Sequence, residues 1–219
     1  MQELIFWLIF SIVAATLIIT QTVVITERPA VPQLTNVELP DLSKKGPDAQ
    51  LIYENEILSE KLSKFLEGKV VIYSLGEFSG PTFNEKGIRD GAQQIAYQGL
   101  ITELETVKNS LIAQVISLFD EERAKTMGTK IAELFDQLYQ RIAFDDALAV
   151  TYKIWKKSKG EVTTYYYLVI FDDEYARILI ESVATDIIQE LQTYGVPFKD
   201  LWQKALDEYA IQRGTSHNQ

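Results

Sequence analysis

The chain has 219 residues, with 31 acidic and 21 basic side chains, a net charge of -10, no cysteine and one histidine. Without cysteine there is no disulfide scaffold, thiolate metal site, cysteine nucleophile or thiol for lipidation. His217 stands in a polar C-terminal stretch, which excludes histidine zinc sites and Ser-His-Asp triads. The acidic balance, with a pI near 4.7, argues against a broad nucleic-acid surface.

Hydrophobic residues make up 47% of the chain, and their excess is local. No charged side chain lies between Glu3 and Glu27. Residues 4–25, from Leu4 to Ile25 with Trp7 near one end, read as a transmembrane helix. A bilayer core of ~30 Å needs about 20 apolar residues, and Trp suits the interface. A cleaved signal peptide is the competing reading, but the segment lacks a basic n-region and is too long for one. A buried globular helix is the third. Arg28, Lys44 and Lys45 give a weak positive-inside vote for a cytoplasmic C-terminal domain.

Pro29, Pro32, Pro40 and Pro47 fall in residues 27–50, four of the chain's six prolines. Proline fixes φ and removes an amide donor, so this stretch reads as an extended linker holding a domain off the membrane. A loop packed on that domain is the alternative. The folded part is expected over residues 51–213, followed by a disordered tail at 214–219.

Residues 48–67 read as a helix, with Leu51, Ile52, Leu58, Leu62, Phe65 and Leu66 apolar and a stop at Gly68. Residues 69–78 are β-branched and aromatic, which predicts a strand ending at Gly76, Gly80 and Pro81. A long helix starts near Asn84, with a stripe through Ile88, Ala92, Ile95, Ala96, Leu100, Leu104, Val107, Leu111 and Leu118. Its end, residues 111–119, reads as helix or strand, because Ile112, Val115 and Ile116 are β-branched. Residues 121–144 form the next helix, which Gly128 could split.

Residues 147–155 alternate, residues 162–171 are apolar on both faces near their end, and 156–160 join them as a hairpin turn. Asp172, Asp173 and Glu174 open a helix running to Gly195, and Val196-Pro197 separates it from a last helix over residues 198–211. The fold class is therefore α+β: an N-terminal transmembrane helix, then a small, mainly antiparallel sheet of about three strands, packed on one face against long helices.

No catalytic, cofactor-binding or metal-ligating set emerges from spacing. Gly76-Glu77-Phe78-Ser79-Gly80 lacks the ending of a phosphate-cradling loop and reads as a strand exit. Asp172, Asp173 and Glu174 fit a helix cap better than a cation site. Asp145 and Asp146 read as a solvated turn. Lys156, Lys157 and Lys159 could touch lipid headgroups, and a solvated turn is the plainer account. In Tyr165-Tyr166-Tyr167 the alternation of a strand sends Tyr166 one way and its neighbours the other. Tyr166 is expected under the helices, which makes Tyr165 and Tyr167 the candidate assembly contact.

A glycine-ended strand (Val70 to Gly76), a helix with Ala92, Ala96, Leu100 and Leu104 at four-residue spacing, two strands and a helix form one pattern. It resembles the small bacterial envelope lipoproteins that include the flagellar basal-disk lipoprotein, over residues 69–194. The resemblance implies a non-catalytic, extracytoplasmic domain, of a kind that in some cases assembles into rings. This chain departs from it in lacking the lipidation cysteine, so its own helix replaces the lipid.

The expectation is a single-pass protein of the bacterial cell membrane, with leading residues Leu4, Trp7 and Ile25 in the bilayer and a periplasmic domain, the cytoplasmic orientation staying open. Its role is scaffolding or assembly, its partners the bilayer and a second copy or another envelope protein, with no cofactor and no nucleic acid. The alternatives are a membrane-tethered ligand- or peptide-binding module, and a metal-assisted hydrolase using Asp172, Asp173 or Glu77.

Overall fold

The computed structural model describes residues 49–65 and 70–216. The anchor residues Leu4, Trp7 and Ile25, the linker up to residue 48 and the tail residue His217 lie outside the described residues. No helix among the described residues is long and apolar enough to cross a membrane.

The domain is α+β, with a four-stranded antiparallel sheet and six α-helices among the described residues. In chain order these are β1 (Gln50–Glu54), α1 (Glu56–Phe65), β2 (Tyr73–Pro81), α2 (Glu85–Ile116), α3 (Glu121–Ile142), β3 (Ala149–Lys159), β4 (Val162–Phe171), α4 (Asp173–Val183), α5 (Thr185–Thr193) and α6 (Phe198–Ser216). A 3-10 turn, Thr82–Asn84, links β2 to α2. The strand order is β1-β3-β4-β2, so β1 and β2 are the edges.

The first element corrects the expectation of one helix over residues 48–67. The segment splits at Asn55, whose side chain accepts the Leu58 amide at 3.0 Å and caps α1, while Gln50 to Glu54 pair with β3. This short strand has no alternation of its own. A bulge puts Ile52 out of register between Leu51 and Tyr53, and its stability comes from the β3 edge. The sheet thereby has four strands rather than about three.

It is also covered on both faces, not one. On one face Tyr165, Tyr167, Val169 and Phe171 join the main core under α2 to α6. On the other, Tyr152, Trp155, Leu168 and Ile170 form a second core closed by Leu58 and Leu62 of α1. The β3 alternation breaks at a bulge between Thr151 and Lys153, so Tyr152 sides with Trp155 and away from Ile154.

The 32-residue α2 is continuous to Ile116, and the β-branched residues at its end stay helical because α3 packs along them. Its buried line runs through Ile88, Ala92, Ala96, Leu100, Leu104, Val107, Leu111 and Val115, while Ile95 is turned outward. β2 lies so close to this helix that a Cβ at Gly76 would land on the Ala92 carbonyl oxygen. Gly91 takes the Phe78 ring and Gly99 takes Ser74 in the same way. Gly128 does not split α3; a Cβ there would make only ordinary van der Waals contact, so the glycine costs only helix propensity.

The expected helix from Asp172 to Gly195 is two helices meeting at Ala184, whose backbone (φ -93°, ψ 39°) leaves the α region. The bend lets Ile180, Ala184, Ile187 and Leu191 all reach the core, and leaves Val183 outside. The β3–β4 turn is just Gly160 and Glu161, with Gly160 at φ 62°, so Lys156, Lys157 and Lys159 sit on the strand rather than in a turn. The last helix passes Ile211 and ends at Ser216.

Replacing Gly76 by Ala is expected to destabilise the domain by about 2–3 kcal/mol, since backbone must move to admit the methyl. Gly128→Ala, whose Cβ meets only Ile112 and Ile116 at 3.5 Å, is expected to stabilise it by up to about 1 kcal/mol. Thermal denaturation of the two variants side by side checks both signs.

Candidate functional site

Residues one helical turn apart share a line on a helix. Beside its apolar line, α2 carries Glu85, Arg89, Gln93 and Tyr97 at four-residue intervals. This polar line overhangs the odd-numbered face of β4, where Tyr165 and Tyr167 stand, and the neighbouring face of β3, with Thr151 and Lys156. Tyrosine hydroxyls taken into a core need partners, and each finds one here.

Lys156 Nζ donates to Glu85 Oε1 at 2.5 Å, and the Tyr165 hydroxyl donates to Glu85 Oε2 at 3.2 Å. Gln93 Nε2 donates to the Tyr97 hydroxyl at 2.7 Å, and Thr151 Oγ1 shares a proton with the Tyr167 hydroxyl at 2.9 Å. Burial pushes the Tyr97, Tyr165 and Tyr167 phenols above their ordinary range. Arg89 opposes that shift at Tyr165 and Tyr167, and Asp146 adds to it at Tyr97 and Tyr167. The bond from Lys156 holds Glu85 below its ordinary value, and the same bond raises Lys156.

The chemistry of this row is that of neutral phenols. Hydroxyls with raised pKa values donate hydrogen bonds and do not act as bases at neutral pH. The row can orient a polar ligand or tie α2 to the sheet, and its one outward cation is the exposed Arg89.

The expected direction of the three tyrosines is reversed. Tyr165 and Tyr167 are buried beneath α2, and Tyr166 is the half-buried one on the α1 face. Period two correctly separates Tyr166 from its neighbours, but it cannot say which parity meets the helices. With both rings enclosed by their own chain, Tyr165 and Tyr167 present no surface for an assembly contact. The four-residue polar spacing Glu85, Arg89, Gln93, Tyr97 is the signal that sequence reasoning missed.

Of the acidic candidates, Asp172 and Asp173 line one groove together with Glu174, and Glu77 stands apart from them. Asp172 caps α4 by accepting the Tyr175 amide at 2.9 Å. Glu77 stands opposite Tyr166, five strand residues or roughly 17 Å from the Asp172 end. Asp145 accepts the Ala147 amide at 3.0 Å. Among the described residues no group of three or more acidic or histidine side chains could hold a metal ion. A half-open groove of about 260 Å³ runs between α1 and the end of the sheet, floored by Val70, Val71, Val150 and Ile170, with Lys61 and Asp172 at its rim.

Comparison with protein-family models, with curated proteins and with solved structures returns no match.

The Glu85–Lys156 bond has a pH consequence. A carboxylate with a lowered folded pKa stabilises the fold above its unfolded pKa, and that contribution is lost as pH falls through the folded value. Glu85→Gln is therefore expected to lower the thermal midpoint slightly near neutrality, with the two proteins converging as pH falls over roughly pH 5 to 3. Melting curves of both proteins across that range check this, and parallel curves would count against it.

Proposed function

We propose that this chain is a non-catalytic, single-pass membrane-anchored protein of the bacterial cell envelope, whose α+β domain serves scaffolding or assembly through contacts with a second copy. One observation carries the assembly half of this reading. The edge strand β1 and the start of α1 expose Leu51, Ile52, Tyr53 and Ile57, at 39%, 44%, 43% and 72%. Four large apolar side chains within seven residues, at a sheet edge unpaired among the described residues, are costly in a free monomer and useful in a contact.

The uncharged span of residues 4–25 supports the anchor. The closed hydrogen bonding of the polar row supports a binding or structural role over catalysis. A second reading, a membrane-tethered module for a polar ligand, is favoured by the groove between α1 and the end of the sheet, with Lys61 and Asp172 among its lining residues.

Mass photometry of the detergent-solubilised full chain is expected to give oligomers, and the double variant Ile52→Glu, Ile57→Glu to give monomers with an unchanged melting point. A wild type that stays monomeric at every concentration overturns the assembly role. The chain has no cysteine of its own, so Phe144→Cys reports the side of the membrane. Labelling by an impermeant maleimide in intact spheroplasts is expected for a periplasmic domain, and protection there would reverse the orientation.

A further inference from the structure

Phe83 is 92% exposed, which makes it the most exposed large apolar side chain among the described residues. It belongs to the 3-10 turn, and that turn is tied to the β3–β4 hairpin. The Thr82 amide donates to the Glu161 carbonyl at 2.8 Å, and Thr82 Oγ1 meets Thr163 Oγ1 at 3.1 Å. Phe83 therefore stands at the hairpin end of the sheet, as does Val162, 51% exposed and opposite both Pro81 and Lys159.

This end differs in charge from the rest of the molecule. It carries Lys86, Arg89, Lys156, Lys157 and Lys159, against Glu85, Asp90 and Glu161. One of those three acids, Glu85, is engaged by Lys156. A basic excess is thus gathered around two outward apolar side chains, in a chain whose net charge is -10. The described chain also begins here. Gln50, at the start of β1, pairs with Lys156.

We infer that the hairpin end of the domain docks on an anionic membrane surface, with Phe83 and Val162 entering the interface and Lys86 and Lys159 meeting lipid phosphates. An aromatic at the headgroup level and basic residues near an anionic leaflet are the two usual attractions. The inference rests on the membrane-anchored reading only for the tether that holds the domain near a bilayer.

The opposite end supplies its own control. Phe144 is 89% exposed, and it precedes Ala149, which pairs with Phe171 at the far end of the strands. Phe83→Cys and Phe144→Cys in the full chain, each labelled with an environment-sensitive fluorophore, are reconstituted into vesicles of phosphatidylcholine alone or with phosphatidylglycerol.

The expected result is a blue shift at position 83 in the phosphatidylglycerol vesicles only, with position 144 staying aqueous. High salt should abolish the shift. Lys86→Glu with Lys159→Glu should lower the docking equilibrium constant by about five-fold or more per residue. No shift at 83, or one equal in both vesicles, overturns the inference, the latter pointing to a protein contact. Equal shifts at 83 and 144 overturn it as well. Flotation separates the two readings. A chain that fails to float with neutral vesicles refutes the anchor alone, and its flotation with anionic vesicles then supports the docking surface.

Discussion

The close seating of β2 on α2 governs the rest of the architecture. Gly76 sits against the backbone of Ala92 and Ala96, Gly91 receives the Phe78 ring, and Gly99 receives Ser74. With side chains this small on both elements, a strand and a helix approach nearly to backbone contact, and packing density leaves little tolerance for an added methyl. That approach fixes the rotation of α2 about its axis. Once Ala92 and Ala96 face β2, the line Leu100, Leu104, Val107 and Leu111 must face the helices beyond the sheet. The polar line Glu85, Arg89, Gln93 and Tyr97 must then overhang β3 and β4.

The same constraint explains why the polar row is well satisfied. Tyr165 and Tyr167 rise from β4 directly beneath α2, where water is excluded, and an unmade hydrogen bond there costs about 1–3 kcal/mol. Glu85 of α2 and Thr151 of β3 meet those hydroxyls, and Lys156 of β3 bonds Glu85 in turn. A network of this kind ties the first turns of α2 to the β3–β4 hairpin. It leaves the hairpin end a firm platform for Phe83 and Val162 rather than a loose loop.

Much of this was legible from residue order. The stripe through Ala96, Leu100, Leu104, Val107 and Leu111 appears in the buried line, and the Asp172 cap sits where its spacing put it. Long amphipathic helices and caps are read locally, because their stabilising contacts are three or four residues apart. Three features were not legible for the opposite reason. β1 is a strand only because the β3 edge completes it. The break at Ala184 serves a core that no local window contains. The parity of Tyr165 to Tyr167 depends on which face α2 covers, and that is a property of the whole sheet.

Sequence alone determined the acidic composition without cysteine, the uncharged span before Glu27, the proline-bearing stretch after it and an α+β domain with long helices. Those properties follow from composition and from short-period patterning. Tertiary structure alone decided the fourth strand, the second covered face, the meeting of Glu85 with Tyr165 and Lys156, and the gathering of Phe83 with the hairpin lysines. Glu85 and Tyr165 alone are 80 positions apart in the chain, and Gln50 and Lys156 are further apart still. Only the packed sheet brings them together, since distance along the chain carries no information about which faces and ends of the elements coincide in space.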